Sequence, residues 1–400
     1  MAITDKEQGV WGLEQVYNKI NQGNIWNYSS ESDPGALYTW GYNPAGQLGH
    51  NDRTQRSSPT QIPGSWTVVS LWQNESAGIK EDGTLWTWGE NSTFGQLGHN
   101  NRTRYSSPTQ VGTDTTWANV LMNDEFCVGV KTNGTLWAWG NNSGNLRGTP
   151  DTPGKVSSPV QIPGTNWPTE VGKMAHGPGG SIGSIKTDGT LWMWGRSGSG
   201  MLAQNNNTQY SSPKQVGTNT NWKTFGKNGT IQLNMKALKT DGTLWTWGRN
   251  NYGDAGLNYI TTPSDNGISS PTQIPGTTWG DYYTGSIAAG HVKTDGTLWY
   301  WSRAYQGSFG INEGGNFKRS SPTQVGSDTT WFGVSGSESM LGSKTDGTLW
   351  FVGGSNAGGQ AGQNSTSAGA YSSPVQISGT TWMNSSMRAN GYNMAARKFV

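Results

Sequence analysis

The chain has 400 residues, of which 13% are charged, with 27 Lys and Arg against 25 Asp and Glu for a net charge of +2. That near balance, without a basic stripe, excludes a nucleic-acid-binding composition, and no apolar run approaches the roughly 18 residues of a membrane-spanning helix. Only 32% of the residues are hydrophobic and the single Cys127 excludes an internal disulfide framework, so the 22 Trp and 60 Gly must build the core between them.

Residues 1–33 differ from everything after them. Val10, Trp11, Leu13, Val16, Tyr17 and Ile20 fall on one stripe at helical spacing, with Thr4 or Asp5 as the cap. The spacing predicts a short helical extension. It either covers one end of the domain that follows or, through Trp11, Leu13, Tyr17 and Ile20, attaches that domain to a larger assembly. Asp5, Lys6 and Glu7 interrupt any apolar leader, so no secretory signal is expected.

From residue 34 to 400 one unit recurs seven times. Asp82-Gly83-Thr84-Leu85-Trp86-Thr87-Trp88-Gly89 is a complete copy, and a worn one begins at Asp33. Each copy is followed by Ser-Ser-Pro, as at Ser57-Ser58-Pro59 and Ser106 to Pro108, and then by a lone Trp such as Trp66 or Trp117. Successive Ser-Ser-Pro elements lie 49 to 58 residues apart, a period at which each unit must stack on neighbours to bury its apolar face. All the tryptophans except Trp11, Trp26 and Trp72 occupy repeat positions.

Within a unit, Ser76–Lys80 and Thr84–Trp88 read as antiparallel strands joined by a two-residue Asp-Gly turn. Trp86 and Trp88 then share one face, with Leu85 and Thr87 on the other. Pro108-Thr109-Gln110-Val111 reads as a further short edge strand. Small antiparallel sheets with both faces covered fit an all-β fold, a seven-bladed β-propeller. The tail Asn393 to Lys398 matches the strand before the Asp-Gly turn, and Leu37 to Gly41 supplies its partner, so strands from both termini are expected to close the ring.

Catalytic motifs are absent. There is no H-E-x-x-H, no C-x-x-C and no G-x-S-x-G with partners, and His50 and His99 occupy equivalent repeat positions rather than a constellation with His176 and His291. No enzyme, metal, cofactor or small-molecule substrate is expected. Two rings remain. Lys80, Lys131, Lys186, Lys239, Lys293, Lys344 and Lys398 precede the hairpin turns and read as solvated strand ends beside the turn Asp. Residues just before Ser-Ser-Pro, namely Arg56, Tyr105, Tyr210, Arg319 and Tyr371, end loops of variable length and are the candidate binding residues.

The pattern from Trp88 to Gly98, nearly intact from Trp40 to Gly49, resembles the repeat of the regulator of chromosome condensation family. The resemblance spans residues 34 to 400 and implies a seven-bladed propeller, a fold whose relatives include an exchange factor for a small GTPase, a bacterial β-lactamase inhibitor and a plant ultraviolet receptor. The G-W-R-H-T motif of that receptor is absent, so the tryptophans are read as core. The opening Met1 to Trp11 resembles the start of structural proteins of marine tailed bacteriophages. Together these imply a non-enzymatic propeller in a phage virion, on head or tail, with other virion proteins or a host surface receptor as partners. The alternatives are a soluble bacterial protein-binding inhibitor or scaffold, cytoplasmic or extracellular, and, third, an exchange factor for a small GTPase.

Overall fold

The computed structural model describes residues 33–399 apart from 124, 143–153, 178–179, 227–233, 262–266, 284–287, 304–317, 337–338, 355 and 367–370. The extension with Trp11, Leu13, Tyr17 and Ile20 lies outside the described residues. Every regular element described is a β-strand, and the strand pairs among the described residues are antiparallel.

A unit folds as the alternation of its residues requires. Strand β1 (Gly35–Gly41) is followed by β2 (Arg56–Leu71), β3 (Glu75–Lys80), β4 (Leu85–Gly89) and β5 (Tyr105–Gln110). In β4, Leu85, Thr87 and Trp88 are buried while Trp86 is half-buried, so both faces are covered. The hairpin between β3 and β4 is a three-residue turn rather than the expected two-residue one. Lys80 N–H donates to Thr84 O (3.0 Å) and Gly83 N–H to Lys80 O (2.9 Å), with Gly83 in the left-handed region at φ 77°. Asp82 Oδ1 then accepts from both N–H and Oγ1 of Thr84, which makes Asp-Gly-Thr a closed local unit.

The expectation of seven blades is corrected by the sheets. Five stand alone as four-stranded blades, and the remaining strands run together in one seven-stranded sheet, in which Arg388–Ala389 and Asn393–Lys398 lead into β1 to β5. The joint is β2, a 16-residue strand that pairs β1 through its first half and β3 through its second. It coincides with a connector shorter than its equivalents by one residue or two. Ile62-Pro63-Gly64-Ser65-Trp66 stands where other units have Ile162-Pro163-Gly164-Thr165-Asn166-Trp167 and Ile274-Pro275-Gly276-Thr277-Thr278-Trp279. In those two the additional residue takes a left-handed conformation, Asn166 at φ 64° and Thr278 at φ 68°.

Neighbouring sheets lock through the repeat's most regular residues. Trp88 Nε1 donates to Gln47 O of the preceding unit (2.8 Å), and Trp139, Trp247 and Trp301 repeat that bond to Gln96, Met201 and Asp254. A Cβ on Gly46 would lie 2.6 Å from Ser106 Cα, which is why Gly faces the first Ser of the next Ser-Ser-Pro. The same contacts join the end of the chain to its start. Trp40 Nε1 donates to Gln360 O (2.9 Å), Asn364 N–H donates to Ser57 O (2.8 Å), and β1 pairs with Asn393–Lys398 in continuous register from Ala36↔Lys398 to Gly41↔Asn393. The core is divided accordingly, each cluster of indoles and aliphatics straddling two units, as where Trp117 and Trp139 meet Val68, Ile79 and Leu97.

Candidate functional site

The propeller has two faces of different character. The turn face carries the hairpins and the lysine ring. Each lysine lies over two rings, Lys80 Nζ at 3.7 Å from the Trp86 centroid and 5.3 Å from Trp66, and Lys293 Nζ at 3.9 Å from Trp299 and 4.9 Å from Trp279. Lys398 does the same with Trp382 and Tyr38. Lys131 and Lys344 also pair with Asp114 and Asp328, both at 2.6 Å. Burial opposes ionisation of those two carboxyls, but hydrogen bonds from the lysine and from Thr116 or Thr330 bring both down to about 2. The first indole of each Trp pair donates Nε1 to the turn Thr, as Trp86 to Thr84 Oγ1 (2.7 Å). The lysines are thus committed to their own units through cation–π contacts, which their spacing did not reveal.

The loop face carries the connections from third to outer strand. Five of these loops, among the described residues, pass a left-handed Asn whose N–H donates to the next unit, as Asn51 to Ser106 O (2.7 Å), Asn205 to Ser269 O (2.7 Å) and Asn258 to Ser320 O (2.7 Å). The candidate binding residues stand at the roots of these loops. Arg56 makes a two-pronged bond to Asp52, at 3.1 and 3.0 Å. Tyr105 OH accepts from Asn101 (3.0 Å) and its ring meets His99, while Tyr210 OH accepts from Asn206 (3.2 Å) under Lys214 Nζ. Tyr371 packs edge-on against Phe351, and Arg319 pairs across strands with Ser302. These residues are therefore spread around the rim, each against its own loop, and do not converge on one pocket. His50 and His99 bond Thr39 and Thr87 Oγ1, at 3.0 and 2.9 Å, as equivalent repeat residues.

Two groupings were not legible from the motifs. Around Tyr252 lie Arg249 Cζ at 5.0 Å, Arg303 Cζ at 5.3 Å and Lys318 Nζ at 4.8 Å from the ring centroid. Beneath them, where two units meet, Lys236 is fully buried and donates to Asn234 Oδ1 (2.7 Å), while Ser302 Oγ donates to Asp254 Oδ1 (2.5 Å). His291 is stacked between Trp301 at 4.1 Å and Tyr283 at 4.7 Å. Burial lowers the Lys236 ammonium to about 7, with Asp254 offsetting part of the shift, and burial raises the Asp254 carboxyl. Burial also holds His291 well below its ordinary value, with Lys236 adding to the effect. The signal was available in the repeat: Lys236 stands where other units have Ala77 or Val128, Asp254 where they have Gln47 or Gln96, and Ser302 where they have glycine. Ser302 takes φ 91°, against 104° for Gly89 and 98° for Gly248.

Two grooves of about 340 and 380 Å³ lie between units, one lined by Trp222, Trp245 and Pro271 and the other by Trp279, Trp299 and Pro322. An axial cavity of about 30 Å³ is enclosed by inner-strand residues such as Val69, Val120 and Met174. Among the described residues no group of His, Cys, Asp or Glu has the arrangement of a metal site.

Residues 34–70 and 82–121 match the regulator of chromosome condensation (RCC1) repeat. The chain is 27% identical over 226 residues to the RCC1 domain-containing protein RUG3, mitochondrial, of Arabidopsis thaliana, covering 54% of this chain and 50% of that protein. It is 26% identical over 304 residues to the Ultraviolet-B receptor UVR8 of the same plant, covering 72% of this chain and 65% of that protein. The chain thus spans half the length of the first and less than two thirds of the second. Among solved structures it resembles Prp20p from Saccharomyces cerevisiae, with a TM-score of 0.76 at 18% identity over 93% of both chains, and human WBSCR16, with 0.75 at 15% over 91% of this chain and 100% of that one. At such identities the structures speak for the fold alone. These similarities overturn the expectation of a phage virion component, and the opening residues that carried the phage resemblance lie outside both matched segments. Prp20p is described with binding properties to Gsp1p and histones, and with Kap60 bound, so virion proteins and a host receptor are withdrawn as expected partners. Family match, relatives and fold together support the RCC1 repeat family for the repeats of this chain.

Proposed function

We propose that this chain is a non-enzymatic protein-binding propeller that acts on a small GTPase in the manner of an exchange factor. The observation that carries the reading is the RCC1 repeat at residues 34–70 and 82–121, together with a fold likeness that extends over 93% of Prp20p. A curated relative in Caenorhabditis elegans, 38% identical over 61 residues, is an X-linked retinitis pigmentosa GTPase regulator homolog, which points the same way. The working surface of this reading is the loop face, at whose rim Arg56, Tyr105, Tyr210, Arg319 and Tyr371 stand. The turn face has its lysines engaged by indoles, whereas the loops differ from unit to unit on a rigid support, which is where specificity is carried. The test is nucleotide release: small GTPases of the same proteome, loaded with a fluorescent guanine nucleotide, are mixed with the purified chain. Accelerated release from one of them is the expected result, and neither release nor a stable complex with any of them would overturn the reading.

A further inference from the structure

The loop Arg249–Thr261 departs from its equivalents in a way that packing does not explain. It is firmly held. Asn250 Nδ2 donates to Tyr259 O (2.9 Å), Asn250 Oδ1 accepts from Ala255 N–H (2.9 Å), Thr261 N–H donates to Asn250 O (3.1 Å), and Asn258 N–H reaches the next unit. After the left-handed Asn, other units place a polar pair: Asp52-Arg53, Asn101-Arg102, Asn206-Asn207 and Ser365-Thr366. In three of these the first member serves the loop root, binding Arg56, Tyr105 or Tyr210. Here the root residue is the apolar Ile268 and the pair is Tyr259-Ile260, 47% and 45% exposed. No other two neighbours in sequence are both large, apolar and exposed among the described residues.

The same loop presents Tyr252 to three cations. Arg303 and Lys318 stand directly opposite each other on adjacent strands, and Arg249 joins them from the preceding unit. In the second unit the corresponding ring, Phe94, meets Lys155 at 4.8 Å, its one cation among the described residues. Tyrosine and arginine beside an exposed apolar pair is the composition of an interface centre, and clustered cations select a partner of opposite charge.

We infer that the Arg249–Thr261 loop, with Arg303 and Lys318 of the next unit, is a docking surface for an acidic protein segment bearing an apolar anchor. Carboxylates of the segment meet Arg249 and Lys318, and the anchor lies on Tyr259 and Ile260. The inference rests on the reading of the chain as a protein-binding propeller and specifies the face and the chemistry of its partner.

The test uses the full chain and a short fluorescent peptide of Glu and Asp around one Leu, with a Leu-free version and a version in which Lys replaces the acids. The acidic Leu peptide should bind, and binding should weaken by ~10-fold or more with added salt or with Arg249→Glu combined with Lys318→Glu. Tyr259→Ser with Ile260→Ser should reduce it to the level of the Leu-free peptide. Unchanged melting temperatures establish that the variants are folded; if charge reversal lowers the melting point, Arg249→Gln with Lys318→Gln replaces it. Equal binding of the Lys peptide, or acidic binding that neither pair of substitutions alters, overturns the inference. Nucleotide release on the same preparations separates the two readings. A GTPase that responds to the chain and is indifferent to both variants sinks the docking surface and leaves the exchange reading intact. Loop-dependent peptide binding with no GTPase responding does the reverse.

Discussion

On the turn face, Lys80, Trp66, Trp86, Thr84 and Asp82 form one closed set of contacts that is repeated from unit to unit with small variation in distance. On the loop face the framework also repeats, through the left-handed Asn and the Ser carbonyl it bonds, but the residues hung on it do not. The same repeat therefore yields a surface that satisfies itself and a surface that is free to vary. Regularity marks where selection has been for packing, and departure from it marks where side chains are available for another molecule.

That contrast can be broken most severely at the lock between units. Trp88→Ala removes a fully buried indole and its bond to Gln47 O, and should cost ~3–5 kcal/mol in urea unfolding. A loss below about 1 kcal/mol would mean that the lock is not what holds the units together. Gly46→Val places a branched side chain at φ 84° against Ser106, and should cost ~2–4 kcal/mol by the same measurement.

The buried lysine gives a pH signature. Lys236 has a folded value of about 7 against an ordinary 10.5, so between those limits the unfolded chain binds the extra proton. Stability therefore rises with pH across that window, by up to ~1.4 kcal/mol per unit, and is lost as pH falls toward 7. Lys236→Met should flatten the profile; a slope that survives the substitution would assign it to other groups. On the turn face, Lys80→Ala should cost only ~0.5–1 kcal/mol, the worth of a half-exposed cation–π contact. Smallest of all, Tyr259→Ser should leave stability within ~0.5 kcal/mol, because the residue is exposed at the surface.

The repeat was legible because period-2 alternation and Asp-Gly turns are local: that Trp86 and Trp88 share one face, with Leu85 and Thr87 on the other, follows from residue order alone. The turn length was misjudged, since Asp82 gains a partner in Thr84 only when the turn has three residues. The separate blades give way at the shortest connector, Ile62 to Trp66, whose effect on strand continuity the local pattern does not encode. The lysine ring was placed correctly at the strand ends, yet its rings of contact come from both the strand and the preceding connector, a pairing across sequence that spacing does not encode. The Lys236 grouping escaped motif reading because its members come from Asn234, Asp254, His291 and Ser302, far apart in sequence, and show themselves only as exceptions at repeat positions. The phage reading failed because it rested on the segment outside the repeats.

The continuous strand β2 has a consequence for how the molecule comes apart. Elsewhere a unit meets the next through indole bonds, Asn–Ser contacts and packed side chains, which can separate while each four-stranded sheet stays whole. Across residues 62 to 66 one backbone joins the two halves of the seven-stranded sheet, and the first half also contains the pairing of β1 with the final strand. Opening the ring at that pairing should tug on the same strand that carries the other half of the sheet, so the seven strands should exchange their amide protons as a single cooperative block, slower than any four-stranded neighbour.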